Sequence, residues 1–151
     1  MGYDLERFIK AQQMDYEIAY KEISEGCKRS HWMWYIFPQI AGLGYSPMAK
    51  MYEIADLDEA KAYMENEYLR NNLIEITRAL LNCGEDDIEK IMGFPDDLKL
   101  RSCMTLFEFA APEIEVFGLV LDKFFNADWD NNTVAIILGD NAPKNRAAYK
   151  K

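Results

Sequence analysis

The sequence predicts an all-α fold, one compact domain built as a bundle of about eight or nine short helices. Three observations predict it. Every strong apolar periodicity is helical, and the clearest sets Leu69, Leu73, Ile76 and Leu80 at steps of four, three and four, one face of a helix. Glycine, proline and capping residues cut the chain into helix-length pieces, and no run alternates apolar with polar residues as a half-buried strand would. The 151 residues are half apolar and 28% charged, an ordinary globular balance, with no repeat, low-complexity run or linker. Residues 1–139 are therefore read as a single helical domain and 140–151 as a polar, basic C-terminal tail.

Asp4 is placed to cap a first helix whose apolar face runs through Leu5, Phe8, Ile9 and Gln12 and continues at Tyr16, Ala19, Tyr20 and Ile23; Gly26 ends it. Residues 30–37 are ring-rich, which favours strand, but they do not alternate and no partner strand is visible. A short helix capped by Ser30 and stopped by Pro38 is preferred. Ser46-Pro47 is a cap followed by proline at the first helical position, opening a helix expected to turn Met48, Met51 and Tyr52 inward. Asp56 with Glu59 resembles a capping box ahead of Ala60, Tyr63 and Met64. The Leu69 helix follows and stops at Gly84.

Glu85-Asp86-Asp87 puts negative charge at the start of a short helix carrying Ile88, Ile91 and Met92. Phe94-Pro95-Asp96-Asp97 opens another, with Leu100, Cys103, Met104 and Phe107 as its core face. Pro112 interrupts it. Residues 113–125 are apolar nearly all round and are expected to form the central element. Asp130 or Asn132 caps a last helix over 133–138, and the tail beyond Gly139 is expected to fray.

The net charge of −9 disfavours nucleic-acid polymers and anionic membrane surfaces, both of which call for a basic face. No stretch has the ~18 consecutive apolar residues of a membrane helix. Asp4, Glu6 and Arg7 interrupt any apolar leader, so a cytoplasmic protein is expected. Cys27, Cys83 and Cys103 are scattered, which reads as reduced thiols and no zinc site. No metal and no cofactor are predicted.

The chemistry-bearing residues gather in 28–47. His31, the only histidine, is the one side chain that ordinarily titrates near neutrality and is the candidate catalytic acid or base. Trp32 and Trp34 flank it and suit stacking on a flat ring as well as core filling. The loop with Gly42 and Gly44 runs into Ser46 at a helix start, a generic anion site, though neither a Walker loop nor a dinucleotide fingerprint. Lys99 and Ser102 approach one helix face. The acidic pairs Asp86-Asp87 and Asp96-Asp97, and Glu22 with Glu25, are read as helix-start or solvated charge, with magnesium-dependent phosphohydrolysis as a distant alternative.

The phrases SHWMWYIFPQ, GLGYSPMAKMYEI, IMGFPDDLKL and RSCMTLFEFA resemble one family, the bacterial domain-of-unknown-function family 1810, some members of which carry a calpastatin-like label. The likeness runs from about Tyr3 to Gly139. It implies a mainly helical fold and no defined activity. Cys103 stands where serine is expected in many relatives. The resemblance also implies that Lys28, Ser30, His31, Gln39, Ser46, Lys99 and Ser102 converge. The expected ligand-binding set is Lys28, Ser30, Trp32, Trp34, Gln39, Gly42, Gly44, Ser46, Lys99 and Ser102, with a small anionic, nucleotide-like molecule as partner, bound or hydrolysed. The alternative is a non-catalytic module that binds another protein through its aromatic residues.

Overall fold

The computed structural model describes residues 2–150, and all the named elements among them are helices. In chain order they are α1 (Glu6–Ser24), α2 (Met33–Ile36), α3 (Pro47–Tyr52), α4 (Leu57–Glu65) and α5 (Glu67–Asn82). Then come α6 (Ile88–Met92), α7 (Asp96–Ala110), α8 (Val116–Phe124), α9 (Asn131–Leu138), a 3-10 turn (Gly139–Asn141) and α10 (Arg146–Lys150). The all-α expectation holds, with ten α-helices among the described residues.

Caps set the boundaries. Asn66 Oδ1 accepts from Leu69 N at 3.1 Å and Asp130 Oδ2 from Thr133 N at 3.0 Å, each satisfying one otherwise orphaned donor. Ser46 Oγ accepts from Ala49 N at 3.1 Å, with Pro47 next, as the sequence predicts. Asp56 caps α4 through Glu59 N, while the Glu59 carboxylate reaches back to Ala55 N at 2.6 Å and pairs with Arg7.

α1 packs on α5; α1 buries Phe8, Ala19 and Ile23, and α5 buries the stripe Leu69, Leu73, Ile76 and Leu80. Gln12 is buried with them. Its amide donates to Tyr35 O at 2.8 Å and to the Tyr63 hydroxyl at 2.9 Å, and accepts from Asn72 at 3.0 Å, which ties α1 to α2, α4 and α5. A ladder of rings crosses the core: Phe8 to Tyr63 at 5.3 Å, Tyr63 to Phe107 at 5.2 Å, Phe107 to Phe117 at 5.9 Å. These spacings suit tilted and edge-to-face aromatic packing.

The central helix is α7, not the apolar 113–125 stretch. α7 packs against α4, α6, α8 and α9 and buries Asp97, Leu100 and 102–107, whereas α8 leaves Leu119 about half exposed. The reason is that α7 hides polar side chains by bonding them to its own backbone: Ser102 Oγ donates to Leu98 O and Thr105 Oγ1 to Arg101 O. Hydroxyls satisfied in this way bury as readily as apolar groups, and an apolar pattern does not show them.

Other expectations change with the tertiary setting. Asp4 does not cap α1. Leu5 stands there without a side-chain bond, and Arg7 takes the Asp4 carbonyl together with those of Met51 and Glu53. Ser30 does not cap α2, because its hydroxyl is held by Glu22. α3 has no buried residue: Met48 and Met51 are exposed and Tyr52 half-buried.

The tail is not frayed where Arg146 lies. Arg146 is 5% exposed and grips Glu108 with two bonds, Nε to Oε1 at 2.9 Å and Nη2 to Oε2 at 2.8 Å. Its Nη1 donates to Asp122 at 2.6 Å and to Ala127 O at 3.0 Å. Gly118 is required beneath this pair, since a Cβ there would stand 2.6 Å from Glu108 Oε2. The Tyr149 ring then seats on Trp129 and Phe109 at 5.3 and 5.2 Å. A forked guanidinium matched to a carboxylate is a different object from a solvated lysine in the same tail. Arg146→Ala is expected to lower urea-unfolding stability by about 3 kcal/mol, because the half-buried Glu108 carboxylate loses its forked counter-charge while Trp129 Nε1 still donates to it. Arg146→Lys, which keeps the charge and loses the fork, should fall between the two.

Candidate functional site

Residues 28–39 are arranged by one buried carboxylate. Glu22, near the end of α1, accepts four hydrogen bonds: from Arg29 N at 2.8 Å, Ser30 N at 3.0 Å, Ser30 Oγ at 2.6 Å and Trp32 Nε1 at 2.9 Å. Burial acts to raise its pKa, but the donors, Ser30 Oγ first among them, outweigh that and hold it at about 2. Ser30 and Trp32 are therefore fixed by the turn they sit in. Trp32 is fully buried and Ser30 half-buried.

Lys28 closes the same turn. Its ammonium pairs with Asp96 at 3.0 Å, lies 4.8 Å from the centre of the Trp32 ring and donates to Ser30 O. Asp96, at the start of α7, also meets Lys99 at 3.5 Å. Lys99 in turn stands 5.7 Å from the centre of the Trp34 ring. One carboxylate thus carries two lysines, and each lysine lies over a tryptophan, the geometry of a cation–π contact.

Beside Lys99 a narrow cleft opens between α2, α3 and α7. Trp34, Gln39, Gly44, Tyr52, Glu53 and Lys99 line it together with Met33 and Phe37, and the space it encloses is about 20 Å³, room for about one water. A parallel bridge aligns two of its walls: Ile54 N donates to Gln39 O at 2.8 Å and Ala41 N to Ile54 O at 2.7 Å. Gly44 is required by close approach, since a Cβ there would fall 2.6 Å from Ala49 Cβ. The Glu53 Oε1 atom is buried and has no hydrogen-bond partner.

Of the residues singled out by sequence, Trp34, Gln39, Gly44 and Lys99 line this cleft. The others stand elsewhere. His31 is exposed and is not a lining residue; its carbonyl accepts from the Tyr35 hydroxyl at 3.4 Å. Gly42 faces Ile136, and the Ser46 hydroxyl is the α3 cap. Ser102 is buried and shares its hydroxyl between Leu98 O and Asp130 Oδ2, fastening α7 to the cap of α9 rather than joining Lys99. Burial pushes the Cys103 thiol well up, away from thiolate chemistry. Among the described residues no group of three or more His, Cys, Asp or Glu is placed to hold a metal ion, and no helix is long and apolar enough to cross a membrane.

The model of a family described as a protein of unknown function (DUF1810) matches residues 2–137, nearly the whole chain. The chain belongs to the DUF1810 family. Its structure is similar to the crystal structure of the conserved hypothetical protein Rv1873 from Mycobacterium tuberculosis, at 42% identity and a TM-score of 0.88 over 91% of this chain and 98% of that one. No curated protein matches. The family carries no assigned activity, so function has to be argued from the cleft.

Two residues that matter here escape sequence reasoning. Glu22 reads as one of two acids on a solvated helix face, and nothing local marks it as the acceptor for a turn eight residues on. Glu53 lies inside the family phrase GLGYSPMAKMYEI, which is its one signal. Glu22→Gln is expected to destabilise by about 2–3 kcal/mol near neutrality, since the neutral amide accepts more weakly and turns donors toward donors. With a folded pKa below the ordinary carboxylate value, the contribution of Glu22 is complete above about pH 4.5 and is lost as pH falls toward about 2. Urea unfolding across that window should therefore show a shallower acid loss in the variant than in the native protein.

Proposed function

We propose that the protein binds a small anionic ligand with a flat ring, nucleotide-like in chemistry, in the cleft between α2, α3 and α7. The observation that carries this reading is the pairing of an aromatic face with a cation at one mouth: Lys99 over Trp34, 5.7 Å from the ring centre. A half-buried tryptophan offers a stacking surface already fixed by the core behind it, and the lysine offers an anion its counter-charge. Lys28, bound to the same Asp96, adds positive charge behind the first lysine.

Size refines the reading. The space enclosed by the cleft is about 20 Å³, room for about one water, so the ring lies on Trp34 at the open mouth rather than inside, with its anionic group on the Lys99 side. The reading is one of binding. No serine, threonine, cysteine or histidine lines the cleft, so the nucleophiles and the histidine of ordinary hydrolytic sites are not at the ligand.

The test is thermal unfolding against a panel of nucleoside mono- and diphosphates. A ligand at 100 times its Kd stabilises by about 2.7 kcal/mol, a rise of about 5 °C or more for a domain of this length. The rise is expected to disappear in Trp34→Ala and Lys99→Met, whose own unfolding temperatures should stay within a few degrees of the native protein. No rise with any member of the panel refutes the reading.

A further inference from the structure

Where α10 docks on the domain it leaves a hollow. The ring centres of Phe109 and Trp129 are 5.0 Å apart, those of Phe109 and Tyr149 5.2 Å, and those of Trp129 and Tyr149 5.3 Å. Their planes meet at 34°, 57° and 60°, so the three rings do not stack flat and a space remains beside them. These rings, Pro112 and Glu108 line it, and the space it encloses is about 80 Å³, room for several waters. Its walls are reachable from solvent: Tyr149 is 55% exposed, Pro112 exposed and Phe109 half-buried, while Trp129, 2% exposed, lies deepest.

The lining selects the class of occupant. Aromatic faces carry the negative part of the ring quadrupole. Glu108 is the charged residue on the lining among the described residues, and the Arg146 that binds it is shared with Asp122, two carboxylates to one guanidinium. A third acid, Asp128, accepts from Arg146 N. An anion is therefore disfavoured. A bare ammonium is disfavoured for another reason. Its N–H groups need acceptors, and both Glu108 oxygens already carry donors: Oε1 takes Trp129 Nε1 and Arg146 Nε, and Oε2 takes Arg146 Nη2. A metal ion would need further acids or histidines, and no such group is present among the described residues. A quaternary ammonium meets none of these objections. It brings positive charge without an N–H to satisfy, and its methyl groups pack on ring carbon.

We propose that this hollow binds the quaternary ammonium head of a choline-type small molecule, against Phe109 and Tyr149 with Trp129 beneath. The site is separate from the cleft at Trp34 and does not rest on the reading of that cleft. Arg146 is its positioning residue: by gripping Glu108 it fixes α10, and α10 brings the Tyr149 ring to the other two.

Heteronuclear NMR of the full chain at one ionic strength tests it, with choline as the probe. Of the three indole N–H resonances, that of Trp129 is expected to shift on titration while those of Trp32 and Trp34 hold. Dimethylbutanol, the neutral carbon isostere, has the shape without the charge, and ethanolamine has the charge without the methyl groups. Each is expected to bind about tenfold or more weakly than choline. Tyr149→Leu should weaken choline by about tenfold, and Tyr149→Phe, which keeps the ring, by about threefold or less. Trp34→Ala should leave choline binding unchanged. No shift of the Trp129 indole with choline, equal binding of dimethylbutanol, or undiminished binding in Tyr149→Leu overturns the proposal. The three probes are compared on the native protein, so that arm decides even where a variant fails to fold.

Discussion

The buried carboxylate of Glu22 is the constraint on which the ring-rich segment depends. A chain that leaves a helix and doubles back exposes backbone N–H groups with no helical partner. Here the donors at Arg29 N, Ser30 N and Trp32 Nε1 converge on one acceptor from the helix just left. Because the indole N–H is satisfied, Trp32 can be buried whole without an orphaned polar atom. Because Trp32 is buried there, α2 starts at Met33 in a fixed rotation, and Trp34 comes out on the side of the cleft. The charge sits in a turn rather than in a pocket, yet it determines where the pocket wall stands.

α7 provides the opposite wall and links the two ends of the molecule. Its first residue, Asp96, receives Lys28 from the 28–47 side and Lys99 from the next turn of α7 itself. Its middle holds the α9 cap through Ser102 and Asp130, and Thr105 Oγ1 accepts from Asp130 N at 3.0 Å. Its last turn offers Glu108 to Arg146 and to the Trp129 indole. A disturbance at the C-terminal helix therefore acts on the same rigid rod that presents Lys99, although the route is one of packing rather than of direct contact.

Much of the fold was legible because it follows from period and caps. The Leu69 to Leu80 stripe, the Ser46-Pro47 start, the Asp56 cap and the Leu100 to Phe107 face all appear as local rules place them. The misreadings share a cause: a polar group that the fold satisfies looks exposed in a sequence. Ser102 and Thr105 are buried on bonds to carbonyls four residues back in their own helix, and Arg146 on a carboxylate 38 residues away. Within the site, Trp34, Gln39, Gly44 and Lys99 were singled out and do share a cleft, while Ser30, Ser46 and Ser102 are occupied with capping and turn bonds. A hydroxyl near a glycine loop suggests a ligand by residue type alone, and only the tertiary structure reveals that the backbone has claimed it.

A ring-rich run cannot be all core or all pocket once it is helical. Trp32 caps α2 and Trp34 lies inside it, and the two part company, one into the core beside Phe37 and the other toward Lys99. Each lysine finds its own indole, Lys28 at Trp32 and Lys99 at Trp34, and the Asp96 carboxylate shared by both offsets the repulsion between the two cations. What distinguishes the cleft from the rest of this well-satisfied molecule is thus not its aromatic content, which the core shares, but its polar balance. At the buried acids Glu22, Glu59 and Asp97 donors have been brought to the carboxylate by the fold. Glu53, half-buried on the wall of the cleft, keeps one carboxylate oxygen, Oε1, with no donor from the protein.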